Sequence, residues 1–385
     1  MMKLSNLKKN FKLKHYINYI GVGFVTILFT ILSLTGNASI SVQFLLEKIA
    51  ISIILAVSLG LVVGFLGELS LGHAGFMCIG AYIGGKVSAL LEGSMGVGFG
   101  NLVISLIVGG IAASICGVII GLPALRLRGD YLAIVTLAFG EIVKTIFINT
   151  SNESFGGATG LSTPRYNRQY LFIFAFVLVL IMLFVIQNLI RSKHGRAITA
   201  IRDSEIASRA TGINVTKYKL LVFALSAFFA GIAGVLFSFS NYRVQCTKFD
   251  YNYSIEILVM VVLGGMGNIT GGIISASLIT ILQVQLATIL SGNLAVLQNV
   301  LYALVLVLIV IYNNAPGLKG FREKYNIKLL LSKLFKKRQD PSNVRDDEAK
   351  WDRIPTKINV DDLLSMDIVV TESVTKPDKG GKNDE

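Results

Sequence analysis

Long apolar runs separated by short polar gaps dominate the chain, at about 17–35, 42–66, 71–91, 101–123, 131–148, 170–190, 219–239, 255–270, 271–290 and 295–312. A membrane-spanning helix needs roughly 20 mostly apolar residues, and most of these runs reach that length. Two regions depart from the pattern. The 71–91 run is Gly-rich and interrupted, and the 255–290 region contains GGMGNITGG, Gly264 to Gly272, which reads as either a turn or an unwound helix. The expected fold class is all-α, a polytopic integral membrane helical bundle of about 8–10 transmembrane helices. If the Gly-rich segments do not cross, the count falls by two and the orientation is unchanged.

The polar gaps set that orientation. The largest, 191–219, carries Arg191, Lys193, Arg196, Arg202, Arg209, Lys217 and Lys219 against Asp203 and Glu205 alone. Cytoplasmic loops carry an excess of Lys and Arg. With the N-terminus inside, the inner segments also hold five lysines of the basic stretch 1–16, Arg126 and Arg128, and Lys319 to Arg338, whereas the outer loops hold Arg165, Arg168, Arg243 and Lys248. A multi-pass protein of the plasma (inner) membrane with both termini in the cytoplasm follows. The run from Ile17 to Leu34 exceeds a usual signal core and precedes no small-x-small cleavage site, so it is expected to remain as the first span. Residues 17–312 form the expected membrane domain. Beyond it, 313–385 begins with the basic stretch LLLSKLFKK (Leu329 to Lys337), suited either to an anionic membrane surface or to a plain positive anchor. From Asp340 the tail is polar, mixed in charge and expected to be disordered.

Composition agrees and excludes several functions. Of 385 residues, 53% are hydrophobic and 15% charged, against roughly 25% charged in soluble domains. The 38 glycines and 6 prolines suit closely packed membrane helices. The net charge of +13 resides at membrane boundaries, which argues against nucleic acid as a partner. Cys78, Cys116 and Cys246 lack metal-ligand or disulfide spacing, and His15, His73 and His194 are scattered. GAYIGGKV (Gly80 to Val87) fits G-x-x-x-x-G-K but has Val87 where Ser or Thr should bind magnesium, so the chain is not expected to hydrolyse ATP. No nucleophile, base or metal cluster converges, so an enzyme is not expected.

Three local patterns carry chemistry. In the large loop, Asp203 is expected to cap a helix of about two turns with Glu205 in its first turn, Arg209 in its last and Gly212 beyond its end. So short a helix does not persist alone in water and needs a surface to dock on. Ala207, Ser208 and Ala210 leave room for a partner, and Ile206 as the sole bulky apolar residue there argues against a helix resting on lipid. Next, Gly72, Gly75, Gly80, Gly84 and Gly85 weaken a regular helix. That pattern fits a broken helix lining a substrate site or close helix packing without a ligand. Finally, Glu141 and Lys144 lie within an apolar run at a spacing that places them on one helix face, as a mutual pair or as substrate contacts.

The loop GRAITAIRDSEIASRATGIN from Gly195, together with GELSLGHAGFMCIGAY from Gly67, LRLRGDYLAIVTLAFGEIV from Leu125 and VVLGGMGNITGG from Val261, resembles the permeases of branched-chain amino acid ABC transporters of the LivM type. The resemblance covers about residues 40–312. It implies the permease subunit of an ATP-driven importer for branched-chain (hydrophobic) amino acids, working by alternating access. The implied partners are cytoplasmic ABC ATPase subunits, which would bind ATP and magnesium so that this chain holds no cofactor. A homologous second permease, an extracellular or periplasmic amino acid-binding protein and the lipid bilayer complete the set.

By the same resemblance, Arg202, Asp203, Glu205, Ala207, Arg209 and Gly212 couple to the ATPase. The spacing from Glu205 to Gly212 is one residue longer than in the broader E-A-A box of ABC permeases. Gly72, His73, Gly75, Gly80, Glu141, Gly264 and Gly265 are the expected pathway residues, and the Gly264–Gly265 turn is either a hinge or a compact loop. Alternatives are a permease of the same family for urea or another small polar solute, or a secondary transporter driven by an ion gradient.

Overall fold

The computed structural model describes residues 17–34, 39–127, 129–289, 303, 304 and 307, all within the first 314 residues. The basic N-terminal stretch, most of the expected last span at 295–312, and the 313–385 tail lie outside the described residues. The main helices are α1 (Ile17–Leu34), α2 (Ile40–Gly60), α3 (His73–Met95), α4 (Phe99–Ala124) and α5 (Asp130–Ile148). A four-residue helix α6 (Asn152–Phe155) follows, then α7 (Arg168–Arg191), α8 (Lys193–Asp203), α9 (Glu205–Ala210), α10 (Val215–Asn241), α11 (Tyr251–Gly264) and α12 (Ile269–Ile289). Seven of the described helices are long and apolar enough to cross a membrane, and α1 and α11 are shorter apolar helices. The chain is an all-α polytopic membrane protein.

Helix α2 is the axis of the bundle. From Leu46 to Leu59 only Lys48 escapes full burial, because the run presents apolar residues on every face. It ends in a π-helical turn, Leu61–Leu66, which Gly67 closes in the left-handed conformation at φ +81°. A Cβ is disfavoured at that φ.

Residues 67–72 are irregular, and α3 starts only at His73. A helix start leaves amide donors without intrahelical partners. Here neighbouring side chains accept from them or from the residues just before: Leu71 N–H donates to Thr136 Oγ1 of α5 at 2.9 Å, and Ala74 N–H to Ser254 Oγ of α11 at 3.1 Å.

From there α3 is continuous to Met95, which corrects the expectation of an interrupted 71–91 segment. The break ends at Gly72 and does not run through Gly75, Gly80, Gly84 and Gly85. Glycine lowers helix propensity, but it also lets helix backbones touch, and α3 uses it that way. A Cβ on Gly80 would collide with the backbone of Gly231 in α10, and one on Gly75 would lie 2.8 Å from Gly140 Cα in α5. The aromatic pairs Phe76–Phe139 and Tyr82–Phe147, with centroids 4.9 and 4.5 Å apart, extend the α3–α5 contact.

At the end of the bundle where α10 finishes, β1 (Leu161–Ser162) pairs antiparallel with β2 (Arg243–Val244). The strand β2 lies against α3, where Tyr82 Oη donates to Val244 O at 3.0 Å. Helix α11 then begins at Tyr251, alongside Glu141 of α5. With 14 residues it rises about 21 Å, short of the roughly 30 Å hydrocarbon core. At the opposite end Gly265 (φ +88°) and Gly267 (φ +80°) form the turn into α12. GGMGNITGG is therefore a turn and not an unwound helix.

Replacing Gly80 with Val should separate α3 from α10, because backbone occupies the space and cannot yield. The expected loss is about 1–3 kcal/mol from overpacking, read as a lower melting temperature in detergent. Gly93→Ala, at a position with nothing within 4 Å, should melt within about 0.5 kcal/mol of the unaltered chain.

Candidate functional site

The 191–219 segment is folded throughout. Ser192 Oγ caps α8 by accepting from the amides of His194 and Gly195. Asp203 is the last residue of α8, and the cap of α9 is Ser204, whose Oγ accepts from Ala207 N–H at 3.3 Å. This corrects the assignment of the cap to Asp203. Both are good capping residues, but α8 runs through position 203, so the extended residue between the two helices is Ser204, at φ −160° and ψ 108°. Gly212 takes the expected left-handed conformation, φ +83°, and Ile213 N–H donates to Ser208 O at 3.0 Å. Asn214 Oδ1 then caps α10 by accepting from Lys217 N–H.

Beneath this short helix lies a buried ionic clasp. Lys219, in the second turn of α10, is 3% exposed. Its Nζ donates to Glu68 Oε1 at 2.5 Å and to Glu205 Oε2 at 3.3 Å. Arg209 Nη2 donates to the other Glu205 oxygen at 2.5 Å. Glu68 belongs to the irregular link between α2 and α3, and Glu205 to α9, so one cation ties three separate elements together.

Arg202 adds a second tie. Its Nη1 donates to Gly64 O at 3.2 Å, while Nε and Nη2 hold Asp203 Oδ1 at 3.0 and 2.9 Å. Gly67 is required here, since a Cβ would meet Arg202 Cγ at 2.7 Å. The α11–α12 turn completes the contact, for a Cβ on Gly64 would strike the backbone of Gly267. These contacts join α8 and α9 to the end of α2, the link into α3, the start of α10 and the α11–α12 turn. The outward side of α9 exposes Ile206, Ala207, Arg209 and Ala210, with Ile206 at 75%, while Ser208 packs inward at 4%.

The expected pathway residues divide into two groups. A Cβ on Gly72 would meet Thr136 O at 2.5 Å, so Gly72, Gly75 and Gly80 all sit where α3 packs directly against α5 or α10. His73 is buried at 2%, with its Nε2 2.9 Å from Ser58 Oγ. Gly264 packs against the backbone of Gly271, and Gly265 ends α11. Glu141 differs from these. Its Oε2 accepts from Lys144 at 2.8 Å and its Oε1 from Tyr251 N–H at 3.2 Å, and its side chain stays 35% exposed.

Sequence reasoning missed Glu68, Ser204 and the burial of Lys219, which had been counted among the solvated loop cations. One signal was available, because Glu68 is an acid in the short gap between two apolar runs, at the start of a Gly-rich block. Its partner, 151 residues away, has no local signature.

A family model described as branched-chain amino acid transport system / permease component matches residues 41–310. The high-affinity branched-chain amino acid transport system permease protein LivM of Salmonella typhimurium is 39% identical over 263 residues, 60% of this chain and 60% of that protein. The chain thus matches less than two thirds of that relative's length. The probable branched-chain amino acid transport permease protein LivM of Methanocaldococcus jannaschii is 30% identical over 200 residues, 49% of this chain and 57% of that protein. The ribose import permease protein RbsC of Haemophilus influenzae is 32% identical over 131 residues, 32% of this chain and 40% of that protein. No solved structure matches the chain.

Truncating Lys219 to Met would leave two carboxylates around an apolar side chain. Removing one partner of a buried pair typically costs about 3–5 kcal/mol, so K219M should melt well below the unaltered protein in detergent. The combined E68Q/K219M variant should lose less than the sum of the two single losses. Strict additivity in that cycle would mean that the two groups do not interact.

Proposed function

The chain belongs to the family of branched-chain amino acid transport permeases, and from that premise we propose that it is the permease subunit of an ATP-driven importer of branched-chain amino acids. Its 192–214 segment lies on the cytoplasmic side and docks on an ABC ATPase that binds ATP and magnesium. A second, homologous permease would complete the membrane pathway. A substrate-binding protein would deliver amino acids at the opposite face. The charge distribution of the loops supports both termini lying in the cytoplasm.

The clasp of Lys219 between Glu68 and Glu205 carries this reading. A two-turn helix that only marked a loop would not need a buried cation beneath it. A helix that transmits force needs a stiff link to the spans, and the clasp with Arg202 supplies one. ATP binding would close the ATPases and displace α8 and α9. The clasp would pass that displacement to the ends of α2, α3, α10 and the α11–α12 turn, opening the pathway alternately to each side. ATP drives such a shift only by binding one conformation more tightly than the other.

Similarity to a ribose import permease over part of the chain keeps a sugar or another small polar solute as the second reading for the cargo. Competition of leucine uptake by ribose and by urea separates the two, because an amino acid importer ignores both. Uptake by the chain alone in liposomes under an ion gradient would refute ATP-driven import altogether.

The docking role makes a graded prediction. Loss of the Ser204 cap costs about 1 kcal/mol, so S204A should weaken co-purification of the ATPase about fivefold. Gly212→Val, which forces a β-branched residue to φ +83°, should weaken it further while leaving membrane insertion intact. Full ATPase recovery with both changes present would refute docking through α9.

A further inference from the structure

The half-buried ion pair of Glu141 and Lys144 lies close to the middle of a span. Glu141 is eleven residues past Asp130, the first residue of α5, which places it about 16 Å along the helix. The hydrocarbon core is about 30 Å thick, so the carboxylate lies near mid-depth. Glu141 and Lys144 are 35% and 21% exposed as side chains. Charged groups at that depth face the bundle interior, a partner or water, and not lipid.

A separate observation marks the same place. The link between β2 and α11 is not α-helical: it holds one 3-10 turn, Cys246–Lys248, in which Thr247 and Lys248 are exposed. Helix α11 starts at the level of Glu141, since Tyr251 N–H donates to that carboxylate. Backbone outside an α-helix at membrane depth is tolerated where it lines a water-filled cavity or is buried in protein, and Thr247 and Lys248 are not buried within this chain. Both features belong to one wall of the chain.

We propose that Glu141 and Lys144 form a recognition site for the two charges of a zwitterionic amino acid on its way through the membrane. The proposal rests on the importer reading for the identity of the cargo. The ammonium of the passing solute replaces Lys144 on Glu141 Oε2, and its carboxylate takes the released Lys144 Nζ. One ion pair becomes two without a change in net charge, so no isolated charge is stranded in the membrane. Tyr251 N–H holds the Glu141 carboxylate in place throughout. Ile142 and Ile255, 58% and 41% exposed, flank the pair on α5 and α11 and offer an apolar wall to the solute side chain. A neutral solute cannot make this exchange, so the site selects against urea and sugars.

The test uses the assembled complex without its delivery protein, with radiolabelled leucine binding followed by equilibrium dialysis and ATP-driven uptake followed in proteoliposomes. Glu141→Gln and Lys144→Met are each expected to weaken leucine binding at least tenfold. E141Q should leave the weaker binding of 4-methylpentanoate, which lacks the ammonium, unchanged, and K144M should do the same for leucinamide, which lacks the carboxylate.

The double variant E141Q/K144M discriminates this role from a structural one. A pair that only neutralises itself recovers when both charges are removed, whereas a recognition site stays at least tenfold weakened. Recovery of leucine binding in the double variant, absence of leucine binding by the unaltered complex, or loss of the assembled complex in both single variants would each overturn the proposal. Failure of the importer reading looks different: the unaltered complex would bind leucine through this pair yet show no ATP-dependent uptake.

Discussion

The structure depends on a single buried cation. Lys219 sits in the second turn of α10 with 3% exposure, and Glu68 and Glu205 converge on it from two other elements. Desolvating a lysine is expensive, and the attraction of its partners offsets that penalty only when the geometry is held. The sequence holds it by local means. Gly67 ends the α2 turn in a left-handed conformation and directs the chain toward Glu68, and Ser204 starts α9 so that Glu205 falls in its first turn. Gly212 and Asn214 then close α9 and open α10 at the register that brings Lys219 beneath both acids.

The membrane bundle supplies the other half of the device. Helices joined by glycine-lined backbone contacts behave as stiff rods, because the packed surfaces have little room to slide. Under the proposed coupling, displacement at the clasp would pass along α3 and α10. Against these rods stand two links outside the α-helices, the irregular 67–72 and the segment between β2 and α11 with its 3-10 turn. The first joins the clasp to the start of α3. The second brings the start of α11 to Glu141 near mid-depth. The proposed coupling element and the Glu141 wall are thus connected through the start of α3, where Leu71 contacts α5 and Ala74 contacts α11.

Much of this architecture was legible in the sequence, for reasons that can be stated residue by residue. Apolar runs of span length identify helices because the bilayer demands it, and the described helices fall close to the expected runs from 17 to 290. Gly212 was legible because a left-handed closing residue strongly favours glycine. The cap was misplaced by one residue, since Asp203 and Ser204 are both competent and only the end of α8 decides between them. The role of the α3 glycines was open between breaking and packing, and tertiary contacts with Gly231 and Gly140 account for Gly80 and Gly75. The link between Glu68 and Lys219 was illegible, because pairing across 151 residues depends on how the rods pack and not on any local pattern.

If the clasp makes α9 and the α11–α12 turn one body, their separation should not change as nucleotide moves the assembly. Thr211, at the end of α9, and Met266 are exposed positions, suited to spin labels and a pulsed paramagnetic resonance distance measurement in the assembled complex. The account predicts one narrow distance distribution, identical with and without ATP, that broadens when Lys219 is replaced by Met. A distribution that shifts on ATP binding while Lys219 is intact would contradict it.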